Sequence, residues 1–229
     1  MVDNGILNYK DANRVIDPVD EVNVDAILKF KKIVPSAEVS AICLSRDSDK
    51  SYLKYVLAMG VNEVIFVRIV NGDKISIDGL LTTKILRRVV LTGKFDLILV
   101  GKSSSDSNSG FVGPALATFL GWRQLNYVCG LSCGSVGQLK VRCQVWNRII
   151  TFLINLPCVL ICEFKKSQRF ISLLDLIRAK NRKIKIKVLC KLNLVSNSSI
   201  SVVNYTIPKQ VRTVRNLDNV SSLMTTLFS

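Results

Sequence analysis

The chain contains no histidine. That excludes imidazole acid–base catalysis, a Ser–His–Asp or Cys–His nucleophile, and histidine-ligated zinc. Aromatic residues are scarce, at 7% of 229 positions. No helix-turn-helix, zinc-finger or RNP signature accompanies the basic residues. There is no long hydrophobic run either. The longest apolar stretch, residues 149–164, is broken by Asn155 and Pro157 and falls short of the roughly 20 residues a membrane-spanning helix needs. It reads as two strands around a turn. Internal repeats and low-complexity tracts are also missing.

What is present points to a folded domain. Hydrophobic residues make up 48% of the chain, too many for a disordered one. The net charge is +15, from 32 basic and 17 acidic residues. The basic residues are spread out, with their densest patch at residues 178–187. This balance suits an acidic protein or nucleotide partner, and RNA binding is the alternative that charge alone suggests. Seven cysteines, an odd number without a recognisable signal peptide, predict reduced thiols. Cys129/Cys133 and Cys158/Cys162 share a Cys-x₃-Cys spacing. The second pair sits in an apolar run and reads as small buried hydrophobes.

Residues 1–16 look polar and irregular. A helix is predicted over 18–33, with Asp17 as N-cap and Pro18 at the first helical position. Asp20 and Glu21 lie early in it and Lys31 and Lys32 late, which complements the helix dipole. Strands are predicted at 39–44, 63–70 and 97–100, and helices at 45–59 and 77–91. A further helix is opened by Pro114 and stopped by Gly121. Such alternation predicts a parallel sheet covered on both faces, with ligands beyond the carboxyl ends of its strands. The first helix has no strand before it.

Past Trp122 the pattern changes to strands at 125–131, 139–145, 149–154 and 158–164. A helix over 172–180, a basic strand over 184–189 and a polar arm ending in a helix near 217–227 complete the chain. The predicted architecture is a three-layer αβα, mostly parallel, Rossmann-like domain over 1–190. Residues 191–229 form an arm that wraps a partner.

The densest functional signal is residues 95–122: a buried strand, a polar loop over 101–113 with three glycines and five serines, then an apolar helix. The loop can present backbone N–H groups to an anion at a helix N-terminus. Gly101-Lys102-Ser103 looks like the end of a phosphate-binding P-loop, but the required earlier glycine falls on Asp96, which rejects that motif. Asp106 would repel phosphate, so it orders the loop or accepts from a ribose or base. Asp20 and Glu21 are adjacent on a helix and diverge by about 100°, which suits a dipole role better than a catalytic dyad. No catalytic constellation emerges, so any chemistry belongs to a bound cofactor.

Four stretches, in order, resemble the β subunit of electron transfer flavoprotein. They are Asp17-Pro18-Val19-Asp20-Glu21, then Val56-Leu57-Ala58-Met59-Gly60-Val61-Asn62. Next come Gly101-Lys102-Ser103-Ser104-Ser105-Asp106 with Gly113 and Leu120-Gly121-Trp122, and last residues 169–180. The resemblance runs from about residue 17 to 190. It implies an electron carrier and not an enzyme, located in the bacterial cytoplasm or the mitochondrial matrix. Such a subunit pairs with an electron transfer flavoprotein α subunit that carries most of the FAD site, and itself holds AMP or a second FAD. The implied electron donors are acyl-CoA-type dehydrogenases, and the acceptor is electron transfer flavoprotein–quinone oxidoreductase. No direct nucleic-acid contact is implied.

By the same resemblance Asp17, Pro18, Val19, Asp20, Leu44, Gly101, Lys102, Ser103, Asp106, Asn108, Ser109, Gly110, Phe111 and Val112 line the nucleotide site. Leu173, Ile177, Arg178 and Lys180 form the docking segment for partner dehydrogenases. The chain departs from the family in places. The family's first strand, Val-Ala-Val-Lys-Arg, has no counterpart, as a late start site or divergence would explain. Asp17 replaces Asn, Gln144 replaces Glu, Leu174 replaces Pro, and Trp146-Asn147-Arg148 stands for an Asp-Gly-Gly turn. A stand-alone adenine-nucleotide-binding module of the same α/β type is the alternative reading.

Overall fold

The computed structural model describes residues 2–3, 6–7, 15–45, 51–69, 77–164, 170–188, 200, 217 and 219–228. Residues 46–50 of the second predicted helix, Val70, Leu189 and most of the arm after residue 190 lie outside the described residues. The chain divides into two compact units, residues 13–201 and residues 1–12 with 202–229.

In the smaller unit two short strands pair antiparallel, β1 (Val2–Asp3) and β2 (Ile6–Leu7), and α6 spans Val220–Phe228. The first sixteen residues are therefore not wholly irregular.

The larger unit runs α1 (Pro18–Ile33), β3 (Ser40–Ser45), α2 (Ser51–Met59), β4 (Glu63–Arg68), α3 (Gly79–Thr92), β5 (Leu97–Gly101) and α4 (Val112–Leu120). It continues with β6 (Arg123–Cys133), β7 (Gln138–Val145), β8 (Arg148–Asn155), β9 (Cys158–Cys162), α5 (Leu173–Asn181) and β10 (Lys185–Val188). The predicted sheet is two sheets. One is a parallel trio ordered β10-β4-β3; the other has five strands ordered β5-β9-β6-β7-β8. In the second, β5, β9 and β6 are parallel, while β6, β7 and β8 form an antiparallel meander. Mostly parallel strands between helical layers make the expected three-layer α/β architecture.

Local sequence explains the elements. Asp17 caps α1, its Oδ1 accepting the Val19 N–H at 2.9 Å. Asp78 caps α3 in the same way, accepting from the Leu81 N–H at 2.7 Å. Gly121 ends α4 in the left-handed region, at φ 67°, where glycine is unstrained. Several boundaries differ from expectation by one to three residues, and two are instructive. Ser45 belongs to β3, paired with Arg68, rather than to the helix after it. The helix opened by Pro114 in the sequence begins two residues earlier, at Val112. Both positions lie in the first turn, where no N–H has an intrahelical partner and proline costs nothing.

The core follows this layering. Leu28 of α1, Leu53, Val56, Leu57 and Met59 of α2, and Val64 and Phe66 of β4 are buried together. On the opposite face Ile65 and Val67 pack on Leu81, Ile85 and Val89 of α3. Arg182 joins α5 to the turn after α2, donating to the carbonyls of Leu57, Val61 and Asn62. All five residues of β9 are buried, and α4 lies over it through Ala117.

Candidate nucleotide-binding site

The site lies at the carboxyl end of β5, where residues 101–113 meet the first turn of α1. Asp17 ties the two together. Its Oδ1 caps α1, while its Oδ2 accepts the Ser105 N–H at 2.7 Å. Desolvation alone would raise the Asp17 pKa, but hydrogen bonds from the backbone and side chain of Ser105 and from Val19 hold it below its ordinary value. Gly101 allows the close approach. A Cβ there would lie 2.9 Å from Val19 Cγ1 and 3.3 Å from Asp20 Oδ1.

Asp20 is pushed the other way, up to about 6, first by desolvation and then by the neighbouring Asp17 charge. Its side chain keeps an opening to solvent even though protein atoms crowd it, so screening tempers the effect. Of these two carboxylates, Asp17 is held ionised and Asp20 is held toward its protonated form.

The loop is ordered by its own side chains. Asp106 Oδ1 accepts the Ser107 N–H at 2.6 Å. A hydrogen bond with Ser104 is the main cause of the lowered Asp106 pKa. Asn108 donates its N–H to the Ser104 carbonyl at 2.9 Å. Asn108 and Gly110 both have left-handed backbone, at φ 48° and 62°. The N-cap residue of α4, Phe111, makes no side-chain cap, so the N–H groups of Val112 and Gly113 start the helix without one. Gly113 lets α4 sit against the sheet, since a Cβ there would lie 2.7 Å from Ile161 Cγ1.

The residues expected from the resemblance therefore fall into four groups. Asp17, Pro18, Val19, Asp20, Gly101, Ser103, Asp106, Asn108, Ser109 and Gly110 surround one loop and one helix start. Lys102 turns away toward the end of β9, where its Nζ pairs with Glu163 at 2.9 Å and stands 5.2 Å from the Tyr127 ring centroid. The ring of Phe111 packs beside Gly79 at the start of α3, and Val112 is the first residue of α4. Leu44 sits near the carboxyl end of β3 and packs against the cluster under α3.

The residues expected to dock a partner lie apart from this loop, on α5. Ser172 caps α5, accepting from the Asp175 N–H and donating to Asp175 Oδ2 at 2.7 Å. Leu173, 71% exposed, Leu174 and Ile177 stand outward. Arg178 pairs with Asp175 at 3.8 Å, and Lys180 is exposed nearby.

Two features had little signal in sequence. The edge strand β8 exposes apolar residues on both faces, Ile149 and Leu153 on one and Ile150 and Phe152 on the other, beside Trp146 at 93% exposure. The unalternating Arg-Ile-Ile-Thr-Phe-Leu-Ile-Asn run was its only trace. The other is Asn23 on α1, 6% exposed with neither side-chain atom partnered.

Cys158 and Cys162 are fully buried, and desolvation raises both thiols, Cys158 to about 11. They behave as core hydrophobes. Among the described residues no group of three or more potential ligands could hold a metal ion, and no helix is long and apolar enough to cross a membrane.

The chain is a layered α/β domain in which a serine- and glycine-rich loop runs over an uncapped helix start at the carboxyl end of a strand, the place where open α/β sheets bind ligands. The sequence model of the electron transfer flavoprotein domain matches residues 5–165, and the chain belongs to that family. It is similar to "Electron transfer flavoprotein subunit beta" of Sus scrofa, 24% identical over 196 residues, covering 85% of this chain and 76% of that one. The protein of the same name in Bradyrhizobium diazoefficiens is 24% identical over 213 residues, 93% of this chain and 84% of that one. A mitochondrial β subunit of Arabidopsis thaliana is 24% identical over 211 residues, 91% and 82% of the two chains.

Proposed function

We propose that this chain is an electron-carrier subunit that works as one half of a heterodimer with a flavin-binding α subunit. One observation carries the reading: in a chain of the electron transfer flavoprotein family, edge strand β8 leaves apolar side chains exposed on both faces. A lone soluble chain rarely keeps such a patch, and a partner surface would cover it.

The α subunit would hold most of the FAD, which supplies the one-electron chemistry. This chain would hold AMP, or a second FAD, at the loop over 101–113. The fit is good at the phosphate. The N–H groups of Val112 and Gly113 lie at the positive end of α4, next to the left-handed turns of Asn108 and Gly110. Asp17 is engaged as cap and tether, which leaves Asp20 and Asp106 nearest to the polar parts of the nucleoside. α5 would dock donor dehydrogenases of the acyl-CoA type. Its exposed leucines give affinity, and Arg178 and Lys180 raise the encounter rate. A membrane quinone oxidoreductase would accept the electrons. The chain turns over no substrate of its own. The compartment would be the bacterial cytoplasm or the mitochondrial matrix, a reading supported by one relative named mitochondrial and another from a bacterium.

The test is to purify the chain with its α subunit, denature the complex in acid and quantify the released nucleotides. One FAD and one AMP, or two FAD, per heterodimer is the expected result. A complex that releases no adenine nucleotide beyond the α-subunit FAD would refute the role of the loop.

A further inference from the structure

Helices α3 and α4 of the larger unit lie side by side. The ring of Phe111, where α4 begins, stands beside Gly79, the first residue of α3. Eight positions on in each segment, from 79 to 87 and from 111 to 119, Arg87 Nε donates to the Phe119 carbonyl at 2.8 Å. Equal steps between the two contacts mean that the helices run in the same direction and keep pace over about 12 Å. The sheet fixes their inner faces. Leu81, Ile85 and Val89 of α3 are buried with Ile65 and Val67, and Ala117 of α4 with Val159 and Ile161. Lys84, Arg87, Arg88 and Leu91 are exposed. They follow an i, i+3, i+4, i+7 pattern, which keeps them within an arc of about 100°. Phe119 is exposed beside them. The pair thus turns a two-helix facet to solvent.

The charge on this facet has one sign. Neither α3 nor α4 contains an aspartate or a glutamate. Asp78, just before α3, is engaged as its N-cap. Helices α1 and α5 also face solvent, and they mix and pair the two signs, Lys29 with Asp25 and Arg178 with Asp175. Among the described residues no carboxylate pairs with Lys84, Arg87 or Arg88. Lys84 and Arg88, at i and i+4, repel each other in water, and an anionic surface would relieve that repulsion. Leu91, 53% exposed, lies one turn from Arg87, and Phe119, 39% exposed, lies across from it. These apolar tips stand among cations rather than forming the contiguous apolar centre of a protein interface. Single-stranded RNA is read by rings spaced along a cationic groove, whereas the exposed rings here, Phe111 and Phe119, sit at opposite ends of α4. Cations without acids around isolated apolar tips are what a helix at a membrane interface presents.

We propose that the α3/α4 facet is a peripheral membrane-binding surface, with Lys84, Arg87 and Arg88 on the phosphates of an anionic bilayer and Leu91 and Phe119 set into its headgroup region. Three cations and two apolar tips make a reversible attachment that salt weakens. The attachment stands independently of the flavin reading. Together with it, the facet would keep an electron carrier beside a membrane-bound acceptor.

The experiment is co-sedimentation of the full chain with vesicles, in salt of about 0.1 M. The chain should bind vesicles of phosphatidylglycerol and phosphatidylcholine mixed at about 1:2 and ignore phosphatidylcholine alone. Salt at about 1 M should release it. Lys84→Gln/Arg88→Gln should weaken binding about 25-fold, at about fivefold per cation. Leu91→Ser/Phe119→Ser should weaken it about tenfold. The control Lys32→Gln/Lys183→Gln removes the same charge from exposed positions elsewhere and should cost less than about threefold. Four results would overturn the proposal. The chain could leave the anionic vesicles unbound. The control could lose as much as the Lys84/Arg88 variant, which would make net charge the cause. Oligouridine could displace the vesicles and lose affinity for that same variant, which would give the facet to nucleic acid. Folded α subunit could abolish vesicle binding, which would make the facet part of the heterodimer contact.

Discussion

Asp17 and Ser105 are 88 positions apart, and a hydrogen bond of 2.7 Å from the Ser105 N–H to Asp17 Oδ2 joins them. The same carboxylate caps α1. One side chain thus fixes both the start of the first helix and the serine-rich loop that would hold a nucleotide.

Asp17→Ala should therefore cost about 1–2 kcal/mol at neutral pH, the sum of a lost cap and a lost charged hydrogen bond. Because the folded-state pKa of Asp17 is depressed, its contribution is present above the unfolded value near 3.8 and is lost as pH falls through the folded value. Urea unfolding of wild type and variant should differ at pH 7 and converge well below pH 4. Asp17→Asn keeps an acceptor and should lose less.

Asp20 has the opposite sign. Its folded pKa is raised to about 6 from 3.8, so the folded state holds a proton that the unfolded state releases. This group's contribution is fully present below pH 4 and is lost as pH rises from about 4 to about 6. Asp20→Asn should raise the melting temperature at pH 7 and change it little at pH 4. Solvent access limits the gain to below about 1 kcal/mol.

Gly113→Ala should destabilise by about 1–3 kcal/mol, because its Cβ would press on Ile161 Cγ1 at 2.7 Å and push α4 off the sheet. Loop binding should weaken with it, since α4 supplies the anion-facing N–H groups. Calorimetry on the variant and an AMP titration of the same sample check both parts.

Leu173→Ala and Ile177→Ala should leave stability within about 0.5 kcal/mol, both side chains being exposed. They should slow electron transfer from a donor dehydrogenase, read as the rate of flavin reduction in the heterodimer. A stability loss without a rate change would place α5 in the fold rather than in docking.

Much of this could be read from the chain. Asp17-Pro18 announced α1, Gly121 ended α4, and the alternation of apolar strands and helices gave the layers. What stayed hidden depends on contacts between distant residues. Nothing local in Asp17 predicts Ser105 as its partner. Asn23 looked like an ordinary polar position on an amphipathic helix, yet the fold buries it. The split into two sheets follows from which strand edges meet, and apolar runs such as Leu97–Gly101 read alike beside one neighbour or two. Within residues 125–131 nothing announced the irregular register between Leu125 and Val128, where Tyr127 adopts φ 55°. There, pairing to two neighbouring strands decides the backbone more than residue preference does.

The central claim is that this chain is half of a flavin-containing heterodimer, and co-purification tests it most directly. Tagged wild-type chain and an Ile149→Lys/Leu153→Lys variant would each be expressed with the α subunit and analysed by size exclusion and absorbance. The wild type should elute as a yellow 1:1 complex, and the variant as a colourless single chain with an unchanged circular dichroism spectrum. A wild-type chain that runs alone, without flavin, in the presence of folded α subunit would contradict the account.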